Sequence, residues 1–151
     1  SEMCIRDRLK HNWKAIVLGI LSGVLASLGS ILGMAVLFGM SHEEYVTFLP
    51  KSITTAIGMG VSEKLGGFVP ISVAAIIITG VLGNIFAELI FRIFRIREPI
   101  ARGVALGTAS HAIGTAKAME LGEVEGAMSS LSIVVAGLVT VGGASVFSLI
   151  R

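Results

Sequence analysis

The sequence predicts an all-α, polytopic integral membrane protein, with transmembrane helices and two broken, re-entrant helical segments arranged as an inverted repeat. Three observations predict it. The chain of 151 residues is 54% hydrophobic and only 15% charged, with a mean hydropathy of +0.89, whereas a soluble domain averages about 25% charged residues. Three long stretches are almost free of charge. Two short polar segments also echo each other, Ser52-Ile-Thr-Thr-Ala-Ile-Gly58 and Thr108-Ala-Ser-His-Ala-Ile-Gly114, at an offset of 56 residues.

The first eight residues stand apart. Ser1 to Arg8 reads as the translation of a transposon adapter used in sequencing libraries, so residues 1–8 are excluded from fold reasoning and 9–151 are read as a partial transmembrane domain. The natural chain is then expected to have a different, longer N-terminus. Cys4, the single cysteine, falls inside that stretch, which leaves no disulfide or thiol chemistry to argue.

Ala15 to Met40 runs 26 residues without a charge, against the roughly 20 needed to cross a bilayer. It is too long for the apolar core of a signal peptide, about 7–15 residues. Its Gly19-x-x-x-Gly23 and Gly29-x-x-x-Gly33 spacings would let another helix approach closely. Ser41 to Pro50 follows as an acidic connection carrying Glu43 and Glu44. The first repeat, about 51–67, is too short and polar for an ordinary span, and 68–91 is the second clear span. Arg92, Arg95, Arg97 and Arg102 crowd the loop behind it. The second repeat occupies about 103–122, and 127–150 is the third clear span.

The arginine-rich loop is placed on the cytoplasmic side, as are Lys10 and Lys14 before the first span. With both ends so fixed, 51–67 must enter and leave from the outer side and 103–122 from the inner side. The units 51–91 and 102–150 then have opposite orientations, which is the inverted repeat. The arginines are explained by membrane orientation, so nucleic-acid binding gains no support. The implied location is a membrane with the arginine-rich loop on its cytoplasmic face.

Broken backbone at membrane depth survives only where protein or a watery cavity satisfies its polar groups. Half-helix N-termini there would favour an anion. Ser52, Thr54, Thr55, Ser62, Ser110 and Thr115 could offer hydroxyls, with Gly114 permitting the break, and Lys51, His111 and Lys117 could supply charge or a proton. These types favour a small organic anion over a bulky apolar ligand. His111 could also titrate near neutral pH and couple transport to protons. Glu88 is expected to pair locally with Arg92 at i+4. The chain holds no G-x-S-x-G, H-E-x-x-H or Walker sequence, so an enzyme is not expected, nor a metal site or cofactor.

The residues assembled in this way resemble the LrgB/CidB family of bacterial membrane proteins. The signatures are Leu49-Pro-Lys-Ser-Ile-Thr-Thr55, Met59-Gly-Val-Ser62 with Gly66-Gly67, the run from Arg102 through His111 to Ala116, and Glu125-Gly-Ala127. Ala56 departs from the pattern, standing where many relatives have proline. The resemblance spans roughly residues 15–150 and implies about three further spans upstream. It also implies an oligomeric, antiholin-like protein of the bacterial cytoplasmic membrane that acts with a small holin-like membrane partner on murein hydrolase activity and autolysis. A plastid relative resembles a glycolate/glycerate carrier, and bacterial members are linked to pyruvate movement. The expected function is a carrier of small monocarboxylates with its site between the two broken-helix repeats; the alternative is a regulator that binds a holin-like partner through its glycine-rich first span.

Overall fold

The computed structural model describes residues 2–151. It is all-helical among those residues, with α1 (Glu2–Phe38), α2 (His42–Phe48), α3 (Thr55–Leu65), α4 (Val69–Ile93), α5 (Pro99–Leu121) and α6 (Glu123–Phe147). Three of them, α1, α4 and α6, are long and apolar enough to cross a membrane. Their exposed surfaces explain why. Leu18 and Leu25 on α1, Ile78 and Ile85 on α4, and Val134 and Leu138 on α6 all lie open. Such faces suit lipid, where apolar side chains need no cover.

α1 buries one stripe, Ile16, Ile20, Val24, Leu28, Ile31 and Ala35, spaced by three or four residues so that it forms a single helical face. That face packs on α5 and α6. The helix begins well before the expected start at Ala15, because residues 2–14 continue it. α2, 7 residues or about two turns long, falls where the sequence predicts only a connection. A capping box starts it: Glu44 N–H donates to Ser41 Oγ (3.2 Å) and Ser41 N–H to Glu44 Oε2 (2.8 Å).

Neither α2 nor α3 can cross a bilayer, since 11 residues extend only about 17 Å. Between them lies the first break, residues 49–54, where Lys51 N–H donates to Phe48 O (3.1 Å) and Ile53 N–H to Pro50 O (3.3 Å). The second break falls inside α5, at His111, whose φ of 44° and ψ of −135° interrupt the helix. The two breaks sit at matching places in the repeat. α3 runs from Thr55 to Leu65 before Gly66, and α5 resumes after His111 and ends at Leu121 before Gly122. Each then leads into a helix of 25 residues, α4 or α6.

α5 is the centre of the assembly, with α6, α4 and α1 all against it. Glycine makes the closest of these approaches possible. A Cβ at Gly107 would lie 2.9 Å from both Ser129 Cα and Ser132 Cβ, and one at Gly103 would lie 2.8 Å from Met128 Cβ. On α1, a Cβ at Gly23 would lie 2.7 Å from Thr108 Cγ2 of α5.

Three helix ends share one geometry. After α1, α3 and α4 a single residue turns left-handed, and the next N–H reaches back to a carbonyl five residues earlier: Met40 to Ala35 (3.0 Å), Gly67 to Ser62 (2.8 Å) and Ile96 to Phe91 (2.8 Å). The left-handed residues are Gly39 (φ 62°), Gly66 (φ 82°) and Arg95 (φ 54°). Two use the residue that adopts this backbone at little cost. The third is an arginine.

Candidate functional site

A cleft of about 440 Å³ opens where α1, the first break, α4 and α5 meet. Lys51 and Ser52 line it from one break, and Thr108, Ala109 and Ser110 from the residues just before the other. Ser27 and Ser30 of α1 and Thr79 of α4 complete the polar wall. Gly23 and Gly83 keep it open, and a Cβ at Gly83 would run into the Ser110 side chain.

Lys51 sets the electrostatics. Its ammonium is half-buried and donates to Ser27 Oγ (3.2 Å) and Ser52 Oγ (3.0 Å). Ser27 Oγ in turn donates to Ser52 Oγ (3.0 Å). Among the described residues no carboxylate lies within ion-pair distance of it, and the only pairs formed belong to Lys117. A cation removed from water in this way is compensated by dipoles alone, so its surroundings favour an anion.

Thr108 adds a second unbalanced group. The residue is 6% exposed, and its hydroxyl is the one buried side-chain polar atom among the described residues that has no hydrogen-bond partner. Buried hydroxyls are nearly always paired. A cation without a counter-charge and a hydroxyl without a partner border the same cleft.

The structure brings three of the expected site residues together there, Lys51, Ser52 and Ser110. Thr54 and Thr55 sit half-buried at the start of α3, outside the cleft lining, and Thr54 makes no side-chain cap. Ser62 belongs elsewhere. It shares a hydrogen bond with Ser72 Oγ (2.7 Å), and Ser72 donates to Thr47 O (2.7 Å), so this buried cluster braces α2, α3 and α4. Thr115 donates to His111 O (3.0 Å) and shares a hydrogen bond with Ser129 Oγ (2.7 Å), joining the second break to α6.

His111 is 3% exposed, and its Nε2 donates to Ile76 O on α4 (2.9 Å). The ring fits against Gly80, where a Cβ would lie 2.7 Å from Cε1. Gly114 allows the sharp turn, since a Cβ there would sit 2.6 Å from Leu106 O, one half of α5 against the other. These groups shape the break rather than line the cleft.

Lys117 is placed differently from expectation. It pairs with Glu88 of α4 (2.6 Å) and with Glu120 (3.3 Å), which neutralises it away from the cleft. The expected local pairing of Glu88 with Arg92 gives way to this contact between helices. The cleft also holds residues that sequence reasoning missed. Thr108 was visible as the repeat partner of Ser52, whereas Ser27, Ser30 and Thr79 sit on long spans, and nothing in the sequence shows which side of a span faces another helix. No group of three or more His, Cys, Asp or Glu that could hold a metal ion is found among the described residues.

A family model described as the LrgB-like family matches residues 5–150. Relatives named "Antiholin-like protein LrgB" from Bacillus mycoides (strain KBAB4), Bacillus cereus (strain B4264) and Bacillus anthracis (strain CDC 684 / NRRL 3495) are each 39% identical over 135 residues. The match covers 89% of this chain and 59% of each relative, so the chain spans under two thirds of their length. No solved structure matches.

Proposed function

The chain belongs to the LrgB-like family, and we propose that it is an antiholin-like membrane protein, as its relatives are named, whose cleft at Lys51 binds a small organic monoanion. The regulatory part of this reading rests on those names and implies a small holin-like membrane partner and an effect on murein hydrolase activity. The ligand part rests on a single observation, the half-buried Lys51 ammonium that has hydroxyl partners and no carboxylate. A cleft of about 440 Å³ has room for a two- or three-carbon acid, and its wall of hydroxyls suits a carboxylate with a neighbouring oxo or hydroxyl group. Pyruvate, glycolate and glycerate are of that class.

The second reading is that the anion is carried across the membrane rather than sensed. It is favoured by the position of the cleft, between two breaks at matching places in a repeat. An inverted arrangement of the two units would suit alternating access to such a site.

One experiment separates the readings. Binding and uptake of labelled pyruvate and glycolate are measured in proteoliposomes, with Lys51→Met beside the unaltered protein. Binding that requires Lys51 without uptake supports a regulator that senses the anion. Binding together with uptake, both lost in Lys51→Met, supports the carrier. If a folded, inserted protein binds neither acid, the ligand part is wrong and the partner-binding role stands alone.

A further inference from the structure

At the opposite end of α4 from its entry at Val69, a second basin of about 300 Å³ is lined by Arg92, Arg95, Arg97 and Arg102, with Phe91 and Glu88. Its chemistry is separate from that of the Lys51 cleft. Glu88 is held by Lys117. None of the four guanidiniums has a carboxylate within ion-pair distance among the described residues, although Glu98 follows Arg97 directly.

Arg102 is fixed in place. Its Nε donates to Ile96 O (2.8 Å), and its guanidinium lies over the Phe91 ring, 5.6 Å from the centroid. Arg92, Arg95 and Arg97 are exposed around it. Arg95 occupies the left-handed position after α4 (φ 54°), where the equivalent turn after α3 uses Gly66. The turn would form more easily with glycine, so the arginine there has local geometry against it. An apolar groove lined by Ala87, Ile90 and Phe91 of α4 and by Ala105 and Leu106 of α5 meets this basin at Phe91, which borders both.

We propose that this basin binds the phosphate diester of an anionic membrane lipid, with the acyl chains lying along the adjoining apolar groove. Guanidinium is the side chain best suited to phosphate oxygens, because its planar donor fork meets them two at a time. Arginine alone would serve free phosphate equally well. The apolar groove that meets the basin is what selects the lipid, since a soluble anion has no use for it. A spanning helix that ends in an arginine basin places charge and hydrocarbon in the order that a phospholipid presents them.

The test is native mass spectrometry of the delipidated protein re-exposed to phosphatidylglycerol or phosphatidylcholine, with inorganic phosphate as a competitor. Phosphatidylglycerol is expected to be retained about tenfold or more over phosphatidylcholine, and the preference to vanish in the Arg95→Gln/Arg97→Gln protein. Lys10→Gln/Lys14→Gln, which removes as much charge elsewhere, should keep it. Arg95→Gly provides the folding control, because it removes a guanidinium while easing the backbone, and it too should lose part of the preference. An equal loss in the lysine variant would show general surface charge and overturn the site. So would a preference that survives without Arg95 and Arg97. Displacement of the lipid by millimolar inorganic phosphate would make the ligand a soluble phosphate and overturn the lipid assignment.

Discussion

Thr108→Val replaces an unpartnered buried hydroxyl with a methyl of nearly the same size. In a protein where Thr108 only fills space, this exchange can only help. The hydroxyl has no hydrogen-bond partner, and leaving such a group buried costs about 1–3 kcal/mol. Valine keeps a methyl to pack on Gly23, where an added Cβ would lie only 2.7 Å from Thr108 Cγ2. The expected gain is about 1 kcal/mol, which for a chain of this size raises the melting temperature by about 2–4 °C. If the hydroxyl serves an anion in the cleft, binding must move the other way. A hydrogen bond to a charged group contributes about 1.5–3 kcal/mol, so its loss weakens carboxylate binding about 10- to 150-fold. The assay is therefore a pair of measurements on purified protein, thermal unfolding and scintillation-proximity binding of labelled pyruvate. Thr108→Ala is the companion variant: it loses the same hydroxyl and opens a void, so stability and binding should both fall. The reasoning is refuted if Thr108→Val melts lower than the unaltered protein, or if it melts higher and binds pyruvate with undiminished affinity.

Gly107→Ala tests the packing of α5 on α6, since the added Cβ would sit 2.9 Å from Ser129 Cα and Ser132 Cβ. A destabilisation of about 1–3 kcal/mol is expected, read as a lower melting temperature, and an unchanged one would mean that the two helices sit further apart. Gly33→Leu is the converse, because no atom lies within 4 Å of a Cβ at that position. Its folding should stay within about 0.5 kcal/mol of the original, so loss of a holin-like partner in copurification from Gly33→Leu would report a lost contact and not a lost fold.

Hydropathy located the three spans because burial in lipid needs only length and the absence of charge, and α4 and α6 begin and end within a few residues of the expected stretches. The breaks were legible for a different reason. Repeated hydroxyls beside glycine have no place in a uniform span, and both interruptions fall within those repeats. Lys51, Ser52 and Ser110 line the cleft because each lies beside a break. Ser62 and Thr115 carry the same local signal, yet their hydroxyls tie helices together, since a motif gives the residue type and not the direction in which it points. The Glu88–Lys117 pair was missed because sequence spacing reveals neighbours on one helix and hides those on two. α2 is legible in Ser41 and Glu44, whose spacing is that of a capping box.

The central position of α5 has a consequence for how the protein is made. The break at His111 depends on a carbonyl of α4, Ile76 O, and on a hydroxyl of α6, Ser129, through Thr115. Synthesis supplies these partners at different times. α1 and α4 have left the ribosome when α5 emerges, and α6 has not. The newborn α5 can settle against Gly23, Gly80 and Gly83 while its Gly103 and Gly107 face still lies bare. It becomes locked only when α6 closes over that face. Until then the least apolar of the long helices keeps its glycine face open to the bilayer, and α6 is the last element to cover it.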